Sequence, residues 1–149
     1  MLRTLVAALV VEVVLVVLLF CAKIPGPALL KWYRQLGTSA WAMDVLSVYV
    51  CVHTARLLVP CGSVPLAALG IQLTHDILFG WVVQRVPRGR MRVIDLFKDY
   101  ARLASLAYDA IIILCTVEAD ALLQRVPSSL HALIGAISAY VSLLFVHSF

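Results

Sequence analysis

The sequence predicts an all-α polytopic membrane protein: a transmembrane helical bundle of four to five spans, with a short interfacial helix in each of two cytosolic loops. Three observations carry this. Of the 149 residues, 63% are hydrophobic and only 13% charged, with a mean hydropathy of +1.01; a soluble domain is about half apolar and about a quarter charged. The apolar residues fall in runs of about 20, the length that crosses a bilayer. Proline marks the joints, at Pro25, Pro27, Pro60, Pro87 and Pro127, because a residue without an amide donor favours helix ends. The same composition excludes an ordinary soluble enzyme and a disordered chain. A net charge of +4 does not make a nucleic-acid binder of a chain with so little water-exposed face to carry it.

The elements follow in order as one domain over residues 1–149. The first span covers about residues 4–22, with Glu12 as its one charge. Arg3 and the run behind it imitate a signal peptide. Phe20 and Cys21 supply no small-residue cleavage site, so the run is read as a retained anchor. Residues 23–40, KIPGPALLKWYRQLGTSA, are amphipathic. Trp32 and Tyr33 suit the interface belt, and Lys31 and Arg34 suit headgroups. The second span, 41–59, contains Asp44, His53 and Arg56; the third, 64–83, contains Gln72, His75 and Asp76. The short gap between them implies an antiparallel hairpin.

Residues 84–99 carry Arg85, Arg88, Arg90, Arg92 and Lys98. Pro87-Arg88-Gly89 suits a tight turn, and Asp95 is placed to cap the following helix. Leu96, Phe97 and Tyr100 would then face lipid or the bundle, with Lys98 at the headgroups. A hydrophobic connection from this segment to Trp32 is expected. The fourth span, 100–123, holds Arg102, Asp109, Glu118 and Asp120; the fifth, 130–146, has little polarity beyond His131 and a few serines. The short stretch 124–129 implies a second hairpin.

Eight of the twelve basic residues lie in the two long loops, with Arg3 and Arg125 on the opposite side. The positive-inside rule then puts both loops in the cytosol, and five spans put the N-terminus outside and the C-terminus inside. The expected partners are the bilayer and its anionic headgroups, each basic side chain near the surface contributing about 1 kcal/mol. A homo-oligomer or another membrane protein is a further option, and nucleic acid is not. Contact with lipid or a partner is assigned to Trp32, Tyr33, Arg85, Arg88, Arg90, Arg92, Lys98 and Tyr100.

An ionisable side chain at a span's centre costs about 2.5–3.5 kcal/mol, so Asp44, His75, Asp76 and Asp109 demand an explanation. With the cytosolic ends of the third and fourth spans at 84 and 101, Asp76 and Asp109 each lie about 12 Å deep. Asp44 is shallower. Gln72, His75, Asp76 and Phe79 share one stripe by helical spacing. Three helices can therefore point carboxylates into one polar layer. Arg56 is too far along its own helix to reach Asp44, and Glu118 or Asp120 is its plausible partner. The layer reads as a structural hydrogen-bonded cluster, as a proton- or ion-handling site with His75 and Asp76 titrating, or as a metal or catalytic site. One histidine with acids is a thin ligand set without HxxH or ExxH spacing. No GxSxG or phosphate loop is present. No catalytic residue, metal or cofactor is assigned. Cys21, Cys51, Cys61 and Cys115 form no CxxC, and Cys51 with Cys61 is the one plausible disulfide pair.

Three stretches, WYRQLGTSAWAMDVL (32–46), QLTHDILFG (72–80) and PRGRMRVIDLFKDYA (87–101), together with Asp109, resemble a conserved integral membrane protein family of nucleocytoplasmic large DNA viruses, the group that includes chlorella viruses and mimiviruses. The resemblance covers residues 32–110; the first and last spans carry none of it. It implies a small viral membrane protein, with the virion's internal membrane as a reasonable place and no particular biochemical activity. It points to Trp32, Gly37, Ser39, Asp44, His75, Asp76, Pro87, Gly89, Asp95, Phe97, Lys98, Asp99 and Tyr100. The readings in order are a structural or interaction protein of a viral membrane, a small proton or cation channel or transporter built on the buried layer, and, third, an enzyme acting on lipid.

Overall fold

A computed structural model describes the chain except for residues 25, 60, 61, 101, 102 and 149; the side chains of residues 99, 100 and 103–105 also lie outside the described set. Among the described residues all regular structure is helical. Helix α1 (Leu2–Val17) continues through a π-helical turn, Leu18–Ala22, which Lys23 closes in the left-handed conformation. There follow α2 (Pro27–Leu36), α3 (Thr38–Leu58), α4 (Val64–Arg85), α5 (Arg92–Tyr100), α6 (Leu103–Leu123) and α7 (Ser128–Ser148).

Leu2–Ala22, Val64–Arg85 and Ser128–Ser148 are long and apolar enough to cross a membrane. Helices α3 and α6, of 21 residues each, match them in length. Their charges, Asp44 and Arg56 in one and Asp109, Glu118 and Asp120 in the other, hold them below the same standard of composition. The outward faces are apolar: Leu66, Ile77 and Leu78 of α4 and Leu133 and Ile137 of α7 are all more than half exposed. Such a surface suits hydrocarbon and not water.

Helix α1 is the centre of the bundle and packs on α3, α6 and α7, while α4 packs on α3 and α6. The expected hairpin of the last two long helices is replaced by a sandwich: α1 packs against both of them. Small residues explain it. Gly135, Ser138 and Ser142 of α7 are buried, and a Cβ at Gly135 would stand 3.1 Å from Val6 Cγ2. A stripe of small side chains lets two backbones approach closely, and the joint between α6 and α7 is held by His131 Nε2, 3.1 Å from the Leu123 carbonyl oxygen.

One end of the bundle gathers Arg3, Arg56 and Asp120. The other carries both basic loops and a contact of 2.9 Å between Thr38 Oγ1 and His147 Nε2. There α2 packs on α5, with the rings of Trp32 and Phe97 edge to face at 5.9 Å. Gly37 joins α2 to α3 with φ +54°, a conformation that costs glycine least, so α3 starts at Thr38 and not at 41.

Several expectations change here. Trp32 (3% exposed) and Tyr33 (0%) are buried against the bundle and are not set in the interface belt, because α2 lies with its apolar stripe inward on Leu15, Val16 and Leu19. Asp95 Oδ2 accepts the Gly89 amide at 2.8 Å, closing the turn in which Gly89 takes φ +84°, and does not cap a helix. Lys98 Nζ donates to the Val86 carbonyl and so ties the loop to α5. Helix α5 is described to Tyr100 and the fourth long helix from Leu103, and the junction expected at Tyr100 lies outside the described residues. The side chains of Tyr100 and Ser105, and Arg102 itself, lie outside the described residues.

Candidate functional site

The four charged or titratable residues singled out at depth converge. Asp44 from α3, His75 and Asp76 from α4 and Asp109 from α6, with Gln72, line one cavity of about 80 Å³. A water needs roughly 10–15 Å³ of such space, so the cavity has room for a few. Glu12 of α1 and Tyr108 of α6 also line it. Four carboxyl groups from four helices therefore face one partly open space, and no lysine or arginine is among its lining residues.

Tyr33 of α2 closes the wall between two of these acids. Its hydroxyl contacts Glu12 Oε1 and Asp44 Oδ2, the latter at 2.8 Å. A phenol has one hydrogen and can donate it to one acceptor. The second contact is a hydrogen bond only if that carboxyl holds a proton and donates to the phenol oxygen. The phenol oxygen therefore stands between Glu12 and Asp44 as their common neighbour. Burial, then the neighbouring Asp44 and Glu12 carboxyls, hold the Tyr33 phenol well above its ordinary pKa, so it stays a donor.

On α4 the helical stripe forms a second chain. Cys51 Sγ–H donates to Gln72 Oε1 at 3.1 Å, and Gln72 Nε2 donates to Asp76 Oδ1 at 2.8 Å. His75 Nδ1 stands 3.1 Å from that same oxygen. Both contacts thus fall on one oxygen, and Asp76 Oδ2 is buried without a partner among the described residues. His75 also stacks on Phe79, ring centroids 5.6 Å apart, and Phe79 meets Phe97 edge to face at 4.7 Å. Phe97 links Trp32 to Phe79, so the three sequence stretches of the resemblance meet in this wall.

The opposite end of the bundle offers a contrast. Asp120 is fully buried and pairs with Arg56 and with Arg3 Nε at 3.2 Å. Here opposite charges neutralise one another across α1, α3 and α6. Between this pair and the acid cavity stands an apolar layer of Cys51, Val52, Ala55, Ala68, Ile113 and Val117.

Glu12 and Tyr33 were not placed in the site by sequence reasoning. The signal for Glu12 was present: a lone acid in the middle of the most apolar run must find a partner. Tyr33 carried no such mark, since its position on an amphipathic helix fits an interface equally well. Among the residues assigned to lipid or partner contact, Arg85 lies over the Trp81 ring, 3.3 Å from its centroid. Arg88 and Arg90 are exposed on the turn. Lys31, Gln35, Gly89, Arg92 and Asp95 line an open cleft of about 290 Å³ between α2 and α5. Cys51 is a buried free thiol, Cys21 and Cys115 are exposed free thiols, and Cys61 lies outside the described residues. No group of three or more His, Cys, Asp or Glu side chains among the described residues is arranged to hold a metal ion.

No family model, no curated protein and no solved structure matches this chain.

Proposed function

We propose that this is an integral membrane protein of five spans that takes up and releases protons at the acid cavity, as the occluded site of a small transporter. The observation that supports the reading is the bridge of Tyr33 between Glu12 and Asp44: a phenol has one hydrogen to give, so two such contacts call for a proton on one of the carboxyl groups. A purely structural ionic cluster has its model in the same molecule, where Arg3 and Arg56 neutralise Asp120. The cavity lacks that compensation. Its charge is balanced by protons or by a bound cation. The apolar layer between the two sites argues for an occluded site and against an open, water-filled pore.

Five spans follow if α3 and α6 also cross. Their costliest groups are provided for inside the bundle: Arg56 by Asp120, Asp44 by Tyr33, and Asp109 by the cavity. The N-terminus would be outside and the C-terminus in the cytosol, with the Arg88–Arg90 turn and the cleft at Lys31 and Arg92 against anionic headgroups. A cysteine introduced at Arg88 would then react with an impermeant maleimide only from the cytosolic side. Proton uptake is tested by reconstituting the protein in vesicles with an internal pH dye. A pH jump should drive flux that Tyr33→Phe and Asp76→Asn each reduce at least tenfold. Flux equal to that of empty vesicles would refute the transport reading.

A second reading is favoured by the meeting of Trp32, Phe79 and Phe97, one from each stretch of the resemblance. On that reading the wall is a packing device in a structural or interaction protein of a viral membrane. Silent vesicles, with Asp76→Asn lowering only thermal stability, would favour it.

A further inference from the structure

A second cavity, of about 370 Å³, adjoins the acid cavity and shares Asp44, Ser47, His75 and Phe97 with it. Its outer lip is formed by Met43, Leu46 and Val50 of α3, which are 42%, 59% and 48% exposed on the apolar outer face. The opening therefore looks sideways into the bilayer and not along the bundle axis. Asp44 lies six residues from the start of α3, about 9 Å into the helix, so the floor sits in the leaflet on the side of the basic loops. The inner wall is aromatic: Trp32, Phe79 and Phe97 line it together with His75. The volume falls in the range of small-molecule pockets.

We infer that this lateral cavity binds a lipophilic amine, an ammonium head on an apolar chain, that enters from the bilayer and exchanges for a proton of the acid cavity. The chemistry of the walls selects this class. An apolar, hydrocarbon-facing mouth takes an alkyl chain. Aromatic faces attract an ammonium group through their quadrupoles, and a carboxylate floor supplies the counter-charge. A phosphate or sulfate head would meet the carboxyl groups of Asp44 and Asp76 and no lysine or arginine of the lining, with the His75 imidazole as its one basic neighbour. A phospholipid is therefore a poor occupant. The exchange balances: one carboxyl proton leaves as one monovalent cation arrives, and the net charge buried in the bundle is unchanged. The groups facing this exchange among the described residues are Glu12 of α1, Tyr33 of α2, Asp44 and Cys51 of α3, His75 and Asp76 of α4, and Tyr108 and Asp109 of α6; from α5 the described lining residue is Phe97. The inference rests on the proton-loaded cavity proposed above and names its substrate class.

The test uses the full chain in maltoside micelles, which carry no phosphate and no charge, titrated with decyltrimethylammonium. Saturable binding is expected, read by quenching of tryptophan fluorescence, with close to one proton released per molecule bound in weakly buffered solution. Asp44→Asn keeps the acceptor for Tyr33 and should weaken binding at least tenfold. Phe79→Leu, at the half-buried wall, should weaken it several-fold without unfolding the bundle. Decyl sulfate and lysophosphatidylcholine should not compete. Equal competition by either, or affinity unchanged in both variants, would overturn the inference. Proton flux in vesicles with no amine binding would sink the amine site and leave the proton reading standing. Amine binding with no proton release would sink the exchange, and vesicle flux equal to that of empty vesicles would sink the proton reading with it.

Discussion

Tyr33→Phe is the most informative single change. It removes one oxygen atom and keeps the ring, so the apolar packing of α2 on Leu15, Val16 and Leu19 is retained. What disappears is the bridge between Glu12 and Asp44. Each carboxyl group left without its buried partner costs about 1–3 kcal/mol. Two such groups set an upper range of about 2–6 kcal/mol. A water filling the vacated space, or a direct contact between the two acids, recovers part of that, so a loss of about 2–4 kcal/mol is expected. At about 2–4 °C per kcal/mol for a chain of this size, the melting temperature in detergent should fall by roughly 10 °C. The decisive form is a double-mutant cycle with Glu12→Gln, because a proton shared across the bridge makes the two changes non-additive. A melting temperature within a degree of the parent, or strictly additive effects in the cycle, would show that the hydroxyl holds nothing.

The remaining predictions concern the rest of the bundle. Asp120→Ala leaves the guanidinium groups of Arg56 and Arg3 without their buried partner and should cost about 3–5 kcal/mol, measured by thermal melting. Gly135→Ala forces only a few tenths of an ångström between α7 and Val6 and should be mild, whereas Gly135→Leu overpacks the contact and should cost about 1–3 kcal/mol or more; crosslinking of α1 to α7 would report the separation. Gly37→Ala meets no neighbouring atom within 4 Å, so its cost is the positive φ alone, about 1–3 kcal/mol. A larger loss would mean that Gly37 does more than turn the chain from α2 into α3. A membrane-permeant maleimide should modify Cys21, exposed at the end of its helix, quickly, Cys115 slowly, because its exposed face in the middle of α6 meets hydrocarbon where a thiol stays protonated, and the buried Cys51 only after unfolding.

The amino-acid order alone determined the class of molecule. Runs of about 20 apolar residues separated by prolines admit little except spanning helices, because an exposed backbone cannot cross hydrocarbon unpaired. It also determined the stripe on α4, since Gln72 and Asp76 are one turn apart and helical spacing alone brings them together. The rise of a helix per residue likewise sets Asp76 and Asp109 at one level, each eight residues from the cytosolic end of its span. Only the tertiary structure decided the rest. That α1 runs through the centre depends on Gly135, Ser138 and Ser142 lying on one face of α7, and such a stripe names no partner by itself. That Tyr33 points inward depends on α2 folding back across the bundle at Gly37, a choice made by packing and not by the periodicity of α2. The meeting of Glu12 with Asp44 joins residues on separate helices, 32 positions apart. Proximity of that kind is fixed by how helices choose their neighbours, which no local pattern encodes.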